Sequence, residues 1–433
     1  MRVTTNHSSH DTRLATPGNL FGVSLIAALA GFIFGFDTVV ISGANQPIKK
    51  LWDLDPWFHG FFIMSMALWG TVAGALFGGI PTDKFGRKKV LLWIGIFFSV
   101  SAIGTALAPD PYTFSIFRFI GGLGIGVSSV AAPTYISEIS TATNRGRLVA
   151  MYQFNIVFGI LVAYLSNYAL AGVGGENDWR YMLGVMAIPS ILYTVLVLFI
   201  PESPRWLALK NVAQRSEDQE ILFVRKYSKV LWLGFFIAFF NQWSGINFVL
   251  YYAPEILERA GLASVDSLKN SVYIGGTNLI FTFVGLYLID RLGRKTLLII
   301  GSVGYILSLS LVAYAFKSGA GSTFLLVNLL LFIASHAIGQ GAVIWVFISE
   351  IFPTKIRARG QAFGASTHWV FAAIITLITP VFLDKDKGIL QNPWPIFAFL
   401  AFMMLLQLVW VLTKVPETRG VSLEELEKKL VKE

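Results

Sequence analysis

The sequence contains no cysteine and few charged residues for its length. None of its 433 residues is Cys, and only 14% are Asp, Glu, Lys or Arg. The absence of cysteine excludes disulfides, thiolate nucleophiles and thiolate metal sites. Soluble domains carry about 25% charged residues, so a soluble protein of this size would lack the charges that its surface needs.

Long apolar runs take the place of those charges. The mean hydropathy is +0.65, and runs of about 20 residues, the length that crosses a bilayer as a helix, recur along the chain. They predict an all-α membrane protein with twelve spans. We place these spans at 20–43, 58–81, 90–108, 111–137, 148–171, 181–200, 230–253, 272–289, 296–316, 323–351, 360–383 and 394–413.

The basic residues orient the predicted spans. The side that holds the N-terminus collects 25 of the 34 Lys and Arg, the opposite side holds 8, and Arg118 lies within a span. Basic loops stay cytoplasmic, so we expect a protein of the cell membrane with both termini inside. The net charge of +9 therefore reflects orientation, and no nucleic-acid partner is expected. Residues 1–19 lack the apolar core of a cleavable signal peptide and are predicted to be a cytoplasmic leader.

Three motifs occur twice in the same order. "GGIPTDKFGRKK" (78–89) returns as "GLYLIDRLGRKT" (285–296), "YISEISTATNRGR" (135–147) as "FISEIFPTKIRARG" (347–360), and "PESPR" (201–205) as "PETRG" (416–420). The copies are six helices apart, an even number, so both have the same orientation. The pattern predicts two parallel six-helix halves, the major facilitator fold. The halves are 20–200 and 230–415, with a short cytoplasmic linker at 201–229 and a tail at 416–433.

The repeated motifs place charged residues at the cytoplasmic ends of helices. As exposed ion pairs they would contribute only about 0–1 kcal/mol each. Charges at moving helix ends can also form in one state and break in another, and we predict such a cytoplasmic gate. Its residues are Asp83, Arg87, Glu138, Arg145 and Glu202, with Asp290, Arg294, Glu350, Arg357 and Glu417 in the second half.

The motifs together resemble the sugar porter family, which includes bacterial xylose–proton symporters and animal facilitative glucose transporters. "PESPRWL", "NQWSGINFVLYYAPEI", "WVFISEIFPTKIRARG" and "PETRG" carry the resemblance, which extends from about Gly22 to Leu423. It implies a transporter that works by alternating access, without a cofactor or metal. No nucleophile–base arrangement or metal cluster in the sequence suggests an enzyme.

The resemblance also implies a set of sugar contacts. They are Gln153, Asn241, Gln242, Asn247, Asn278, Gly341, Trp345, His368 and Trp369. Asn241 and His368 each lie about ten residues, roughly 15 Å, from a cytoplasmic helix start, near the midplane where such transporters bind substrate. Amides donate and accept hydrogen bonds, and tryptophan offers a flat apolar face, which suits a small neutral sugar. Each amide alone could equally be an interhelical hydrogen bond.

Two of these residues and the linker depart from the family pattern. Asn241 is one methylene shorter than the usual glutamine, and His368 replaces an amide, so the particular sugar is open. The linker at 201–229 is shorter than the family's cytoplasmic insert.

Some glycines and one histidine are expected to serve helix packing. Gly122 and Gly126 form a GxxxG step that favours close helix packing over nucleotide binding. His336 is predicted to be an interhelical histidine, since no second metal ligand stands nearby.

Asp37 lies in the apolar stretch "FGFDTVVISG" and is expected to pair with Arg118. We expect the first helix to end near Gly43, which places both residues six positions below the outer surface. Each ion alone costs about 2.5–3.5 kcal/mol near the bilayer centre. Proton-coupled sugar porters carry this pair, whereas facilitative relatives replace the Asp with an amide.

The sequence therefore predicts a monomeric sugar–proton symporter in the lipid bilayer. A static ion pair would instead make it a facilitative uniporter. A sugar sensor is a weaker alternative, because such sensors carry long tails and 13 residues follow Gly420 here.

Overall fold

A computed structural model describes residues 17–141, 144–211 and 222–431 of the chain. Within these ranges eleven helices are long and apolar enough to cross a membrane, and a helix pair bent by 42° makes a twelfth span. This agrees with the twelve spans predicted from the apolar runs.

The spans are numbered α1 to α12 in chain order. The first six are α1 Pro17–Leu51, α2 Pro56–Phe58 with His59–Met64 and Met66–Phe77, α3 Arg87–Leu107, α4 Pro111–Ile139, α5 Arg145–Leu170, and α6 Asp178–Gly184 with Ala187–Val197. The second six are α7 Ser228–Trp243 with Ile246–Arg259, α8 Ser264–Leu292, α9 Arg294–Ser318, α10 Ser322–Ile338 with Gln340–Ile351, α11 Arg357–Leu383, and α12 Trp394–Lys414. Short helices Gly79–Phe85, Pro204–Asn211 and Leu423–Leu430 lie between or after them.

The helix packing repeats between the two halves. In the first half α1 packs on α5, and α4 packs on α2 and α3; in the second, α7 packs on α11, and α10 packs on α8 and α9. The halves meet where α5 packs on α8 and where α2 packs on α11, which are equivalent contacts in the two halves. They also meet where α1 packs on the second segment of α7. This arrangement is the one expected from a duplicated six-helix unit.

The first helix is longer than predicted. It continues to Leu51, so the predicted end near Gly43 was wrong by eight residues. The segment contains Asn45 and Pro47, which resemble a turn in the sequence. Membrane helices tolerate proline because neighbouring helices satisfy the freed backbone groups, and the Asn45 side chain has partners on two other helices.

The predicted GxxxG step is confirmed as a packing contact between α4 and α2. A Cβ atom on Gly122 would lie 1.9 Å from the backbone oxygen of Ala67, and one on Gly126 would lie 2.3 Å from that of Thr71. No side chain fits at either position unless one helix moves. Small residues therefore set the distance between these helices.

We expect Gly122→Ala to destabilise the protein, because the added methyl group meets backbone that has no alternative rotamer. Overpacking of this kind costs about 1–3 kcal/mol. Thermal unfolding in detergent, followed by tryptophan fluorescence, measures it. Gly276→Ala is the control, since a Cβ at Gly276 meets nothing within 4 Å. Equal melting temperatures for the two variants would contradict the packing role.

Candidate functional site

Buried amides gather where α7 is interrupted. Gly245, with φ of 88°, separates its two segments, a backbone conformation that glycine adopts without steric cost. The break lets residues on both sides face one cluster. Asn247 Nδ2 donates to Gln242 Oε1 at 2.8 Å, and Gln242 Nε2 donates to Asn241 Oδ1 at 3.0 Å. Three predicted sugar contacts are therefore hydrogen-bonded to one another.

Aromatic rings from α10 and α11 lie beside these amides. Both ring nitrogens of His368 are 3.1 Å from Gln242 Nε2. The His368 ring centroid lies 5.0 Å from that of Trp345 and 4.8 Å from that of Trp369, and Trp369 also contacts Phe34 of α1. Trp345 is 38% exposed, so part of its ring remains open beside hydrogen-bonding groups.

Two other predicted contacts lie across the interface between the halves. Gln153 is on α5 and Asn278 is on α8, helices that touch through Phe154 and Phe283, whose ring centroids are 5.5 Å apart. Among the described residues neither amide has a side-chain hydrogen-bond partner.

The glycine and histidine of α10 lie close together. Gly341 packs on His336, one turn before Trp345. His336 itself bonds to the Tyr305 hydroxyl at 2.6 Å, as an interhelical histidine would.

The expected ion pair of the first half is present. Arg118 Nη1 donates to Asp37 Oδ1 at 2.6 Å, and the two side chains are 1% and 0% exposed. Asp37 Oδ2 and Arg118 Nε have no hydrogen-bond partner in the described part of the chain. Tyr251 of α7 lies beside Thr38, the neighbour of Asp37. The ion pair thus lies next to the helix segment that carries Asn247.

Polar contacts also join the halves at the outer ends of the helices. Asn45 of α1 donates to Glu255 of α7 at 2.8 Å and bonds to His59 of α2 at 2.6 Å. Lys49 forms an ion pair with Asp384 at the end of α11. Sequence reasoning missed these contacts, because Asn45, Lys49, Glu255 and Asp384 lie in segments interpreted as outer loops. The available signal was Glu255, the first charged residue after the uncharged stretch 230–254.

The charged motifs tie cytoplasmic helix ends together within the first half. Arg87 donates to both oxygens of Glu138, at 3.0 and 2.9 Å. Glu138 also accepts a bond from Ser203. Glu202 accepts the backbone N–H groups of Arg87 and Lys88 at 2.9 and 3.0 Å. We call this set of contacts the first staple.

An equivalent second staple lies in the other half. Arg294 donates to Glu350 at 3.2 and 2.8 Å, and Glu417 accepts the backbone N–H groups of Arg294 and Lys295 at 2.9 and 3.0 Å. Thr418 donates to Glu350 as Ser203 does to Glu138.

The remaining predicted gate residues take less central places. Asp83 and Asp290 are 77% and 82% exposed and contact the staple arginines at 3.2 and 3.1 Å. Arg357 donates to the backbone oxygen of Phe352. The side chain of Arg145 lies outside the part of the chain that the structure describes. Glu138 and Glu350 therefore each bond to the repeated arginine of their own half, Arg87 and Arg294.

Comparison with known proteins identifies the family. A family profile described as "Sugar (and other) transporter" matches residues 23–226 and 213–430. The chain belongs to the sugar transporter family. An arabinose-proton symporter of Bacillus subtilis is 34% identical, over 97% of each chain. A D-xylose-proton symporter of Escherichia coli is 31% identical, over 94% of this chain and 95% of the relative.

A solved structure extends the similarity to the fold. The inward open conformation of the xylose transporter XylE from E. coli superposes with a TM-score of 0.82 at 31% identity, covering 95% of this chain and 100% of that one. The predicted fold, with two parallel six-helix halves, is therefore confirmed. The chain is a multi-pass membrane transporter and not an enzyme.

We expect Glu138→Gln to lower the melting temperature, because Arg87 is only 7% exposed and would lose its charged acceptor. Removing one member of a buried ion pair costs about 3–5 kcal/mol. Asp83→Asn is the matched control: its carboxylate contacts the same arginine but is 77% exposed, where pairs contribute about 0–1 kcal/mol. If both variants melt alike in detergent, the first staple does not hold the helix ends.

Proposed function

We propose that this chain is a proton-coupled symporter of small neutral sugars that works by alternating access. The observation that carries the proposal is the buried Asp37–Arg118 pair beside an uncharged cluster of amides and aromatic rings. The ion pair suits proton binding, and the uncharged cluster suits sugar binding. The relatives' names, which pair a pentose with a proton, support the same assignment.

The sugar site is formed by Gln153, Asn241, Gln242, Asn247 and Asn278, with Gly341, Trp345, His368 and Trp369. Amides match hydroxyl groups because both donate and accept, and the open face of Trp345 provides an apolar surface for a sugar ring. The cluster has no charged side chain among its described members, which favours a neutral substrate. Charged solutes would leave an uncompensated ion in a buried site.

Asp37 carries the proton in this proposal. A carboxylate paired with Arg118 is stable as an ion, whereas a protonated carboxyl releases the guanidinium and weakens the contact between α1 and α4. Because α1 also touches α7 through Thr38 and Tyr251, the protonation state and the position of the sugar-binding segment change together. That connection is the physical basis of coupling.

The state of the structure suits release toward the cytoplasm. Asn45–Glu255 and Lys49–Asp384 close the outer side, and these contacts must break before sugar enters from outside. The staples keep the cytoplasmic helix ends of each half together, so each half moves as one body and can close the cytoplasmic side in the opposite state. We place both termini in the cytoplasm, from the distribution of basic residues, and expect a monomer, because one chain supplies both the sugar site and the ion pair.

A facilitative uniporter is the second candidate. The observation that favours it is the complete burial of Asp37 and Arg118, since such a pair can be static. Both functions share the sugar site and differ in whether Asp37 titrates during the cycle.

Asp37→Asn separates these functions, because it keeps the shape of the side chain and removes its titration. We expect the variant to lose uphill uptake into proteoliposomes but to keep sugar binding and exchange of sugar for sugar. A membrane potential of 100 mV supplies about 2.3 kcal/mol per proton, enough for about fifty-fold accumulation. Uptake of labelled sugar and sugar-induced alkalinisation are the measurements.

Asp53→Asn is the control, since this carboxylate is 93% exposed and lies just beyond the same helix. It should accumulate sugar as the wild type does. Uphill uptake by the Asp37→Asn variant, or absence of alkalinisation with the wild type, would reduce the Asp37–Arg118 pair to a static contact and favour the uniporter.

We expect Gln242→Ala to weaken sugar binding about ten-fold or more, because it removes a sugar contact and strands Asn247, Asn241 and His368. Tryptophan fluorescence titration with pentoses and hexoses measures the affinity. Asn328→Ala is the control: this amide is also buried, but within the described residues it bonds only to the backbone of its own helix, at Phe324. Unchanged affinity in the Gln242→Ala variant would mean that the sugar binds elsewhere.

A further inference from the structure

We infer that Ser302, Gln407 and Gln340 fix the direction in which the amides of the sugar site present their donors and acceptors, and so act as positioning residues for sugar specificity. The inference rests on the proposed sugar-binding function. None of the three belongs to the predicted site. They lie behind it, on α9, α12 and α10.

A hydrogen-bond chain begins at the backbone of α9. The Ser302 hydroxyl donates to the carbonyl oxygen of Leu298 at 2.7 Å, and Gln407 Nε2 donates to Ser302 Oγ at 2.9 Å. Gln340 Nε2 then donates to Gln407 Oε1 at 2.9 Å. Ser302, Gln407 and Gln340 are each 0% exposed, so no solvent competes for these groups.

The same chain continues into the sugar site. Asn241 Nδ2 donates to Gln340 Oε1 at 3.4 Å. Gln242 Nε2 donates to Asn241 Oδ1, and Asn247 Nδ2 donates to Gln242 Oε1. Each of the four inner amides, Gln407, Gln340, Asn241 and Gln242, therefore donates to its neighbour on the Ser302 side and accepts from its neighbour on the Asn247 side.

Ser302, which we call the anchor because its hydroxyl bonds to the α9 backbone, fixes the direction of the chain. A carbonyl oxygen only accepts, so the Ser302 proton is committed to Leu298 and Ser302 Oγ is left as an acceptor. That requirement turns the NH2 group of Gln407 toward Ser302 and its oxygen toward Gln340. The same requirement then fixes the orientation of the Asn241 amide and, after it, that of the Gln242 amide. Reversing any one amide would place two donors or two acceptors together, with both left unsatisfied in a buried site.

The direction of the hydrogen-bond chain determines which donors and acceptors face the sugar. Gln242 uses its oxygen for Asn247 and turns its NH2 group toward His368, whose ring nitrogens both lie 3.1 Å from Nε2. Asn247 donates one N–H to Gln242, and its oxygen stays available as an acceptor. The reversed chain would present the opposite pattern, with Asn247 accepting from Gln242 and His368 donating to it. A sugar hydroxyl pattern that fits one arrangement does not fit the other.

Close packing of α9 on α10 allows Ser302 to join the hydrogen-bond chain that leads to the sugar site. Gly301 and Gly339 lie in direct contact, and a Cβ on Gly301 would be 2.9 Å from the Gly339 Cα. This close approach brings Ser302 and Gln340, the next residues along each helix, within reach of Gln407. Asn241, one methylene shorter than the usual glutamine of the family, meets Gln340 in this arrangement.

Ser302→Ala tests the inference, because it removes the anchor and leaves the amides free to adopt either direction. Purified wild type and variant are titrated with D-xylose, D-glucose and the monodeoxy analogues of each. We expect the affinity ratio between the tightest-binding sugar and its deoxy analogues to shrink by a factor of about three to ten, the range for losing one hydrogen bond. Gln407→Leu interrupts the chain one step later and should reproduce the change.

Ser308→Ala is the matched control. Ser308 is a fully buried serine of the same helix that, among the described residues, bonds only to backbone oxygens, at Gly304 and Tyr305. It removes a buried serine hydroxyl of the same helix without removing the partner of another side chain, so it should leave the affinity ratios at the wild-type value. Wild-type ratios in both Ser302→Ala and Gln407→Leu, or equal changes in Ser308→Ala, overturn the positioning role. If the wild type binds none of these sugars, the proposed function fails instead.

Discussion

A polar group inside a bilayer has no water to bind, so each one requires a partner within the protein. The main clusters of buried polar side chains follow this constraint. Asp37 is held by Arg118, the amides of α7 bond to one another, and the charged helix ends are held by the staples. The same constraint explains why a few contacts can control movement. A bond that breaks must be replaced, so the halves exchange one set of polar contacts for another.

Much of the fold could be predicted from the sequence, because its two signals are strong and independent. Apolar runs fix the number of spans, and the duplicated motifs fix the relation between the halves. The pairing of Asp37 with Arg118 was also predictable, because an isolated charge in an apolar run needs a partner, even though the end of α1 at Leu51 was misplaced. That error did not matter, since both residues belong to helices that pack together.

Helix breaks and side-chain partners could not be predicted with the same success. The interruptions at Gly245 and Gly339 depend on packing against neighbours, and glycine is frequent in membrane helices for several reasons. Gln340 and Gln407 are 67 residues apart, so nothing local in the sequence joins them. The glutamate partners in the staples were likewise ambiguous, because Arg145 and Arg357 follow Glu138 and Glu350 by seven residues in the sequence, whereas the fold brings Arg87 to Glu138 across 51 positions.

The ion pair and the cluster of amides and aromatic rings lie in different halves, and this separation constrains the transport mechanism. The ion pair belongs to α1 and α4, whereas the amide and aromatic cluster belongs to α7, α10 and α11. They touch through Thr38 with Tyr251 and through Phe34 with Trp369. Asp37 is fully buried and paired with Arg118, so in the proposed cycle its proton does not meet the sugar directly. It acts through the fit between α1 and α7, the same surfaces that Asn45 and Glu255 hold together at the outer side. Coupling in the proposed cycle is thus a property of the interface between the halves, where chemical and mechanical changes share the same helices.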